Sequence, residues 1–551
     1  MRVLVPAGLY LLALAIRLIV ANELPFPTAE PSAYYVGVAQ NLVAGNGLVS
    51  DGVWSYATPP LEVPKPAFEL WLPMSTFVSA LAMSVLGTTF WAAQVGGALL
   101  GAAVAPLAWA VGREPARTQR LDARRGGAVA ITSGLLAAVL SPLILGSVVP
   151  DSYIPFTVFM LAGALLVPRV IGFRDGLSVE PATPRAIAGL GLGIAMGLAY
   201  LSRQEVIWLG LTFVLMLAWA LRAHTPGTRL REAVLRLWPV FAGGLVVVVP
   251  WLLRNWVELG SPFPGQAVEN MFLVNNEDIF AFSDHPGATV YFDQGLATVL
   301  WNPIAAAWDN FINVIALPAF PVGLVGLIAL VGMRHSPALR RPTALVAILV
   351  SAAFTFGSTM VLFPVATLWG TFMHASGPLL VALGVLAALG GDALLARISR
   401  VRQWEKPNVV IAPIALAATA GLLTVFQVQV YSDQSRDAEA RYAALTTSVV
   451  EAAEVAGLVV PNTVITDHPM WVADALDGYA VALPDEDLGS ILELSEVFET
   501  TWVIVMGERG RYPEALLDES ARDCLSADPL SLETGGEPAW LIQLADRCEA
   551  I

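Results

Sequence analysis

Long apolar runs dominate the first 428 positions of this 551-residue chain. Many of them reach eighteen or more residues, which is enough for a helix to cross a hydrocarbon layer of about 30 Å. The pattern predicts about eleven membrane-spanning helices, near residues 3–21, 88–112, 127–147, 152–170, 186–201, 205–222, 236–256, 311–333, 343–363, 373–395 and 408–428. Beyond residue 430 short apolar runs alternate with helical stretches, which predicts a small α/β domain.

Positive charge divides the connections between these helices into two sets. Six connections hold 20 of the 30 Lys and Arg residues, at residue 2 and over 113–125, 169–185, 222–236, 334–341 and 397–406. The positive-inside rule makes this side cytoplasmic. We therefore expect a multi-pass protein of a plasma membrane, with a cytoplasmic N-terminus and an extracytoplasmic C-terminal domain. Arg greatly outnumbers Lys, which favours a bacterial source.

The apolar stretch Phe68–Gly87 is an exception to this arrangement. Counting it as a span would move the arginines of 113–125 to the outer face. We therefore predict an interfacial or re-entrant helix there. It ends the first long loop, residues 22–87, and a second long loop covers 257–310. Loops of this length in a compact protein are usually functional.

Composition excludes a water-soluble fold, because 56% of the residues are hydrophobic, only 14% are charged and the mean hydropathy is +0.66. We expect an all-α polytopic membrane domain over 1–430 and an acidic α/β domain over 431–551. The latter has 24 Asp and Glu against 6 Arg, which argues against nucleic acid as a partner. Both cysteines, Cys524 and Cys548, lie in this domain. They could form a disulfide in an oxidising compartment, and two buried thiols are the alternative.

Polar residues that a simple membrane anchor would not need gather at the outer ends of the predicted spans. They are Glu30, Tyr34, Tyr35, Asp51 and Lys65 on the first long loop, Asp151 in VVPDSYIP, Arg203 and Glu205 in YLSRQE, Arg254 in PWLLRNWVELGSPFP, and His374 in GTFMHASGP. Each alone could be an interfacial anchor. Together, acids and cations at one depth suit a site that deprotonates a nucleophile and neutralises a phosphate.

The order of these motifs resembles the GT-C class of membrane glycosyltransferases, and is similar to the family that contains protein O-mannosyltransferases and the lipid A aminoarabinose transferase. The residues that carry the likeness are Glu30, Tyr34, Tyr35, Ala39, Leu42, Gly45 and Gly47; Lys65, Pro66, Trp71 and Leu72; Ser141, Pro142, Leu143 and Asp151; Leu201, Ser202, Arg203 and Glu205; and Pro250, Trp251, Arg254, Asn255, Gly260 and Pro262. The likeness covers most of the first 400 residues.

The resemblance implies inverting transfer of a sugar from a polyprenyl-phosphate carrier to a hydroxyl of a lipid, glycan or protein acceptor. It implies Glu30 as the base, although the family usually has Asp at this position, spaced differently from the Tyr pair, so Asp51 is the alternative base. Asp151 would orient the acceptor, the donor sugar or a divalent cation. The remaining roles are donor-phosphate binding by Lys65, Arg203, Arg254 and His374, and substrate binding by Tyr34, Tyr35 and Glu205.

Three points stay open at this stage. Neither of the two early outer loops contains a D-x-D metal signature, so the dependence on a divalent cation is undecided. A transporter or lipid flippase is the alternative function, although such proteins usually place ionisable residues near the midplane of the bilayer, often with an internal repeat. A non-catalytic member of the same scaffold, without a proper base at Glu30, is the third hypothesis.

Overall fold

The computed structural model describes residues 3–174, 177–178, 183–222, 224–404, 411–457, 459, 462–507, 516, 519–536 and 538–545. Its helices up to the second long loop are α1 (Leu4–Ala21), α2 (Glu30–Ala44), α3 (Met74–Leu86), α4 (Phe90–Ala102), α5 (Val104–Thr118), α6 (Ala123–Val139), α7 (Ser141–Val148), α8 (Tyr153–Ile171), α9 (Thr183–Tyr200), α10 (Ile207–Leu221) and α11 (Pro226–Leu259). The later helices are α12 (Ala288–Asp293), α13 (Leu296–Asn310), α14 (Val322–Gly332), α15 (Pro337–Arg340), α16 (Ala344–Leu362), α17 (Thr371–Ala375), α18 (Gly377–Val401), α19 (Ile411–Ala456), α20 (Pro469–Leu476) and α21 (Leu488–Val497).

The strands are short, and most of them lie in the C-terminal domain. They are β1 (Val49–Ser50), β2 (Gly52–Val53), β3 (Lys65–Pro66), β4 (Phe173–Arg174), β5 (Leu177–Ser178), β6 (Thr463–Thr466), β7 (Tyr479–Ala482), β8 (Trp502–Met506), β9 (Leu530–Leu532) and β10 (Ala539–Gln543). The mainly helical bundle followed by a small sheet confirms the predicted fold class.

Eight helices in the described part of the chain are long and apolar enough to cross a membrane. The pair α6 and α7, bent by 49°, makes a ninth when it counts as one span. Two further predicted spans coincide with shorter apolar helices, at Arg185–Tyr200 and Val322–Gly332. Each predicted span therefore coincides with a helix, and the helix in the span 311–333, with 11 residues, is well short of the ~20 residues that a perpendicular crossing needs.

Three helices define the two ends of the bundle. Helices α8, α10 and α18 begin beside Asp151, Arg203 and His374, which contact one another or a shared neighbour. The same helices end at or near Arg169, Arg222 and Arg400. The arginines thus lie at the end opposite the polar cluster, as the charge pattern predicts. The end that carries the polar cluster is called the domain side below.

Helix α3 begins on the domain side, and α4, which follows it, begins on the same side. The backbone N–H of Met74 donates to the Leu201 carbonyl at 3.0 Å, next to the polar cluster. In α4, Gln94 donates to the carbonyl of Leu24, just beyond α1, at 3.0 Å. With 13 residues α3 is only about 20 Å long. The interfacial or re-entrant placement of Phe68–Gly87 stays a prediction.

The C-terminal domain contains a six-stranded sheet in the order β2, β7, β6, β8, β10, β9. Strands β6, β7 and β8 are parallel, and β10 runs antiparallel to both β8 and β9. The edge strand β2 comes from the first long loop and pairs in parallel with β7. A Cβ at position 52 in this strand would lie 2.7 Å from the Met470 sulfur, so a larger residue there would require the Met470 side chain to shift.

The first long loop, the second long loop and the C-terminal domain pack as one unit on the domain side. A single hydrophobic cluster contains Tyr34 and Trp54 of the first loop, Phe280 of the second and Val481 of the sheet. The domain boundary predicted at residue 430 lies inside α19, whose 46 residues form one helix about 69 Å long. This helix leads directly from the bundle into the domain.

Arg17 lies fully buried inside the first span. Its guanidinium donates to the Ser147 hydroxyl at 2.9 Å and to the carbonyls of Leu143 at 3.0 Å and Ala13 at 3.1 Å. A buried charge is tolerated when such hydrogen bonds replace water. Arg17 therefore fastens α1 to the bent pair and has a structural role.

Candidate active site

A cavity of about 480 Å³ opens on the domain side of the bundle. Its wall combines the first long loop, the start of α10, the second long loop, the end of α16 and the segment around α17. The polar and aromatic residues that line it include Tyr35, Trp54, Glu69, Trp71, Ser152, Arg203, Glu205, Gln266, Asn270, Thr371 and His374. Sequence segments more than 300 residues apart therefore meet around one space.

Asp151 and His374 form the first polar pair at this cavity. Oδ1 of Asp151 lies 2.9 Å from Nδ1 of His374, and accepts from the Ser152 hydroxyl at 2.9 Å and the Tyr153 backbone N–H at 3.0 Å. Burial alone would raise the pKa of Asp151, but His374, Ser152 and Arg203 outweigh it and lower the pKa to about 2. Asp151 is therefore ionised at neutral pH and orients the imidazole.

Arg203 links this pair to Glu205. Its Nη2 donates to Oε1 of Glu205 at 2.6 Å and to the Thr371 carbonyl at 3.1 Å, and its Nη1 donates to the Ser152 hydroxyl at 3.2 Å. The guanidinium thus bridges the loops that carry Asp151 and His374. Arg203, Glu205 and His374 line one cavity, and Asp151 contacts His374 without being among the described lining residues.

Lys65 and Glu69 form a second, deeply buried ion pair. The Lys65 Nζ lies 2.5 Å from Oε2 of Glu69 and donates to the Ser55 carbonyl at 2.9 Å. Only 2% of Lys65 and 9% of Glu69 are exposed. Burial raises the pKa of Glu69 to about 7, against the opposing effect of the Lys65 ammonium.

Glu69 lines the cavity, whereas Lys65 lies behind it. Glu69 falls inside the KP-x-x-x-x-WL segment that carries the resemblance. Its spacing of four residues from Lys65 was the available signal for a charge pair. The cavity therefore has a carboxylate that was not among the predicted site residues.

Glu30 and Asp51, the two bases considered from the sequence, do not line this cavity among the described residues, although Pro31, next to Glu30, does. Oε1 of Glu30 accepts from the Met470 backbone N–H at 3.1 Å, in the first turn of α20. Oδ2 of Asp51 accepts from the Asn41 side chain at 2.7 Å, and Asp51 lines a separate cavity of about 520 Å³ between α2 and the C-terminal domain. Among the described residues that line the first cavity, neither of these acids appears.

Tyr34 and Arg254 contact the backbone of the first long loop. The Tyr34 hydroxyl accepts from the Phe68 N–H at 2.6 Å. Arg254 donates to the carbonyls of Ala67 at 2.7 Å and Leu48 at 3.3 Å. These contacts give both residues a supporting role, and their binding roles stay predictions. Tyr35, by contrast, lines the cavity next to Ser152.

Two further predictions concern a metal and a disulfide. In the part of the chain that the structure describes, no group of three or more His, Cys, Asp or Glu side chains could hold a metal ion. Cys524 is buried. Cys548 lies outside the described residues, so the disulfide stays a prediction.

Comparison with known proteins finds similar structures. No protein-family model and no curated protein matches the sequence. ArnT from Cupriavidus metallidurans bound to undecaprenyl phosphate is similar with a TM-score of 0.53, at 14% identity and over 97% of both chains. Its apo form gives 0.51, at 16% identity and over 98% of both chains. The Archaeoglobus fulgidus oligosaccharyltransferase in complex with Zn and sulfate gives 0.54, at 14% identity, over 97% of this chain and 72% of that one.

At identities this low, the structural similarity shows a common fold, and it extends over nearly the whole chain. The order of motifs in the sequence had indicated the same class from the first 400 residues. The chain therefore has the GT-C fold that it shares with ArnT and the archaeal oligosaccharyltransferase.

Proposed function

We propose that this protein transfers a sugar from a polyprenyl-phosphate carrier to an acceptor hydroxyl at the outer face of the membrane. The observation that carries the proposal is the convergence of Arg203, His374 and Glu69 on one cavity at the ends of membrane-spanning helices. The shared fold with ArnT, whose structure holds undecaprenyl phosphate, supports it.

The position of the cavity suits a donor that is half lipid and half sugar. Besides its polar wall, the cavity is lined by Ile207 at the start of α10 and by Leu362 and Phe363 at the end of α16. Ile207 is 65% exposed. The apolar side chains at the start of α10 and the end of α16 would therefore suit a polyprenyl tail.

Arg203 and His374 are the residues that we assign to the donor phosphate. A guanidinium and an imidazole offer charge-assisted hydrogen bonds to phosphate oxygens, and both face the cavity. Asp151 holds the imidazole through Nδ1, which directs Nε2 away from Asp151. These donors would stabilise the negative charge that develops on the leaving phosphate.

Glu69 is the base that we assign in place of Glu30. A general base works best when its pKa is near the working pH, and Glu69 combines a pKa of about 7 with a position on the cavity wall. The acceptor hydroxyl gives its proton to Glu69, and its oxygen bonds to the anomeric carbon. The bond from that carbon to the phosphate oxygen breaks with its electron pair, and polyprenyl phosphate leaves.

Asp151 and His374 are adjacent side chains of a kind that can ligate a divalent cation, and they are bonded to each other. Zn²⁺ and Ca²⁺ sites use three or more protein ligands, whereas Mg²⁺ is usually held by one or two carboxylates and the phosphates of a substrate. The described part of the chain has no group of three or more such ligands, and no step of the transfer is assigned to a metal.

The proposed function is tested by incubating the purified protein, in lipid nanodiscs, with undecaprenyl-phosphate hexoses and an alcohol-bearing acceptor lipid extract. We expect free undecaprenyl phosphate to be released, and release to be lost in Arg203→Gln. Wild-type protein that binds no undecaprenyl phosphate and releases none would contradict the proposal.

The outer location is part of the same proposal. The arginine-rich helix ends lie opposite the cavity, and arginines favour the cytoplasmic side. We expect protease added to intact spheroplasts to cleave the C-terminal domain. Cleavage only after the membrane is broken would place the domain, and with it the cavity, in the cytoplasm.

A further inference from the structure

We infer that the cavity wall formed by Trp54, Trp71 and Asn270 is the subsite for the donor sugar, and that it takes an uncharged pyranose. This inference rests on the proposed function and adds to it the chemical class of the sugar.

Trp54, in the wall of the cavity, has a buried hydrogen-bond donor that is unused among the described residues. The residue is only 9% exposed, lines the cavity, and its indole Nε1 has no hydrogen-bond partner among the described residues. The ring packs against Trp71 at 5.1 Å and Phe280 at 5.0 Å between centroids, so it is held in place. Buried indole N–H groups usually have an acceptor, which a bound hydroxyl would provide here.

Asn270 supplies the complementary acceptor from the second long loop. Its Oδ1 is buried without a hydrogen-bond partner in the described part of the chain, and the residue lines the same cavity. The nearby amide of Gln266 is already bonded, to the Ser55 hydroxyl at 2.7 Å. A hydroxyl both donates and accepts, so a polyhydroxylated ring can satisfy an indole N–H and an amide oxygen together.

Trp54 and Trp71 give this wall two adjacent aromatic faces. The carbon-bound hydrogens of a pyranose make one face of the sugar apolar, and that face gains contact area against indole rings. One cavity thus combines an aromatic surface and two unpaired polar atoms with the cations Arg203 and His374 that are assigned to the phosphate.

The charges of the cavity favour an uncharged sugar. The two carboxylates that line it, Glu69 and Glu205, lie 2.5 Å and 2.6 Å from the cations of Lys65 and Arg203. Among the described lining residues, an ammonium group on the sugar would find no unpaired carboxylate. An anionic sugar would likewise find no unpaired cation here, because Lys65 is paired with Glu69 and because Arg203 and His374 are assigned to the phosphate. This differs from the amino sugar of the aminoarabinose transferase that the sequence resembles.

The experiment measures binding of three lipids to the full-length protein in nanodiscs: undecaprenyl phosphate, undecaprenyl-phosphate glucose and undecaprenyl-phosphate aminoarabinose. We expect glucose to improve affinity about tenfold over the bare phosphate, as two ordinary hydrogen bonds would. Aminoarabinose should bind more weakly than glucose. Trp54→Phe and Asn270→Ala should each weaken binding of the glucose lipid about fivefold and leave the bare phosphate unchanged.

Trp251→Phe is the matched control, because the Trp251 Nε1 is also buried without a hydrogen-bond partner among the described residues but does not line the cavity. It should bind all three lipids as the wild type does. Equal affinity for the glucose lipid and the bare phosphate, or an unchanged Trp54→Phe, would overturn the sugar subsite. Preference for the aminoarabinose lipid would overturn the uncharged sugar. Failure of the proposed function itself would differ, because undecaprenyl phosphate would then not bind at all.

Discussion

Replacing Glu69 by Gln tests the base most sharply, because the side chain keeps its shape and loses only its charge. General-base catalysis contributes about a hundredfold to ten-thousandfold to a rate, so kcat should fall by that factor, or about 3 to 5 kcal/mol of activation free energy. The affinity for undecaprenyl phosphate should change little, because the phosphate contacts are assigned to Arg203 and His374. The assay is release of undecaprenyl phosphate at saturating donor.

The substitution also leaves the Lys65 ammonium without its carboxylate. Removing one partner of a buried pair destabilises proteins by about 3 kcal/mol or more, so thermal unfolding must be measured beside activity. Lys65→Met combined with Glu69→Gln removes both charges, and should restore stability but not activity. An active, folded double variant would refute Glu69 as the base.

Glu114→Gln is a matched control at the opposite end of the bundle. Glu114 is also buried, and its Oε2 accepts from the Ala344 N–H at 2.6 Å. An amide oxygen can accept this bond as well, so the variant should transfer at the wild-type rate. A loss equal to that of Glu69→Gln would show that any buried glutamate matters to folding, and that the cavity is not special.

The raised pKa of Glu69 predicts the pH dependence. The base must be ionised, and with a pKa of about 7 its ionised fraction falls as pH falls through that value. The fraction drops about tenfold from pH 8 to pH 6. We expect kcat/KM to fall by the same factor over this range. A flat profile would contradict the assignment, since Asp151 stays ionised throughout, with its pKa of about 2.

Three further outcomes follow from named contacts. Glu30→Gln should keep activity within about twofold, because an amide oxygen can still accept from the backbone of α20; an inactive but folded variant would return the role of base to Glu30. Arg203→Lys should weaken binding of undecaprenyl phosphate about tenfold. Lysine cannot make the contact through two nitrogens with Glu205 that positions the Arg203 side chain, and it cannot bind phosphate in a bidentate way. Unchanged affinity would count against the phosphate site. Glu486→Ala removes the acceptor for three backbone N–H groups of the second long loop, at 282–284. Hydrogen exchange of these groups should become faster, corresponding to about 2 kcal/mol of lost protection. An unchanged rate would show that Glu486 does not hold this loop against the C-terminal domain.

The membrane-spanning helices could be predicted from the sequence because a polypeptide backbone can adopt few structures in lipid. A backbone in hydrocarbon must satisfy its own hydrogen bonds, so an apolar run becomes a helix. The run at 343–363 matches Ala344–Leu362 closely. The prediction at 236–256 was too short, because α11 begins at Pro226 with a polar, amphipathic section that apolar content does not detect.

The candidate site could be predicted only in part, because some of its residues contact parts of the chain that are far away in the sequence. Asp151 and Arg203 stand at the starts of helices whose direction the charge pattern fixes, so their common location follows. Glu30 bonds to Met470, 440 positions away, through a domain whose docking no local pattern reports. Glu69 was overlooked for a different reason, since Lys65 was read as a free cation for phosphate when it is the partner of that glutamate.

The central claim is that a lipid-borne phosphate binds at the domain-side cavity between α10 and α16. An experimental structure of the protein with undecaprenyl phosphate tests it directly. We expect phosphate oxygens at hydrogen-bond distance, about 3 Å, from the Arg203 guanidinium and the His374 imidazole, with the tail leaving past Ile207. A phosphate found at the arginine-rich end of the bundle, or in the separate cavity beside Asp51, would contradict it.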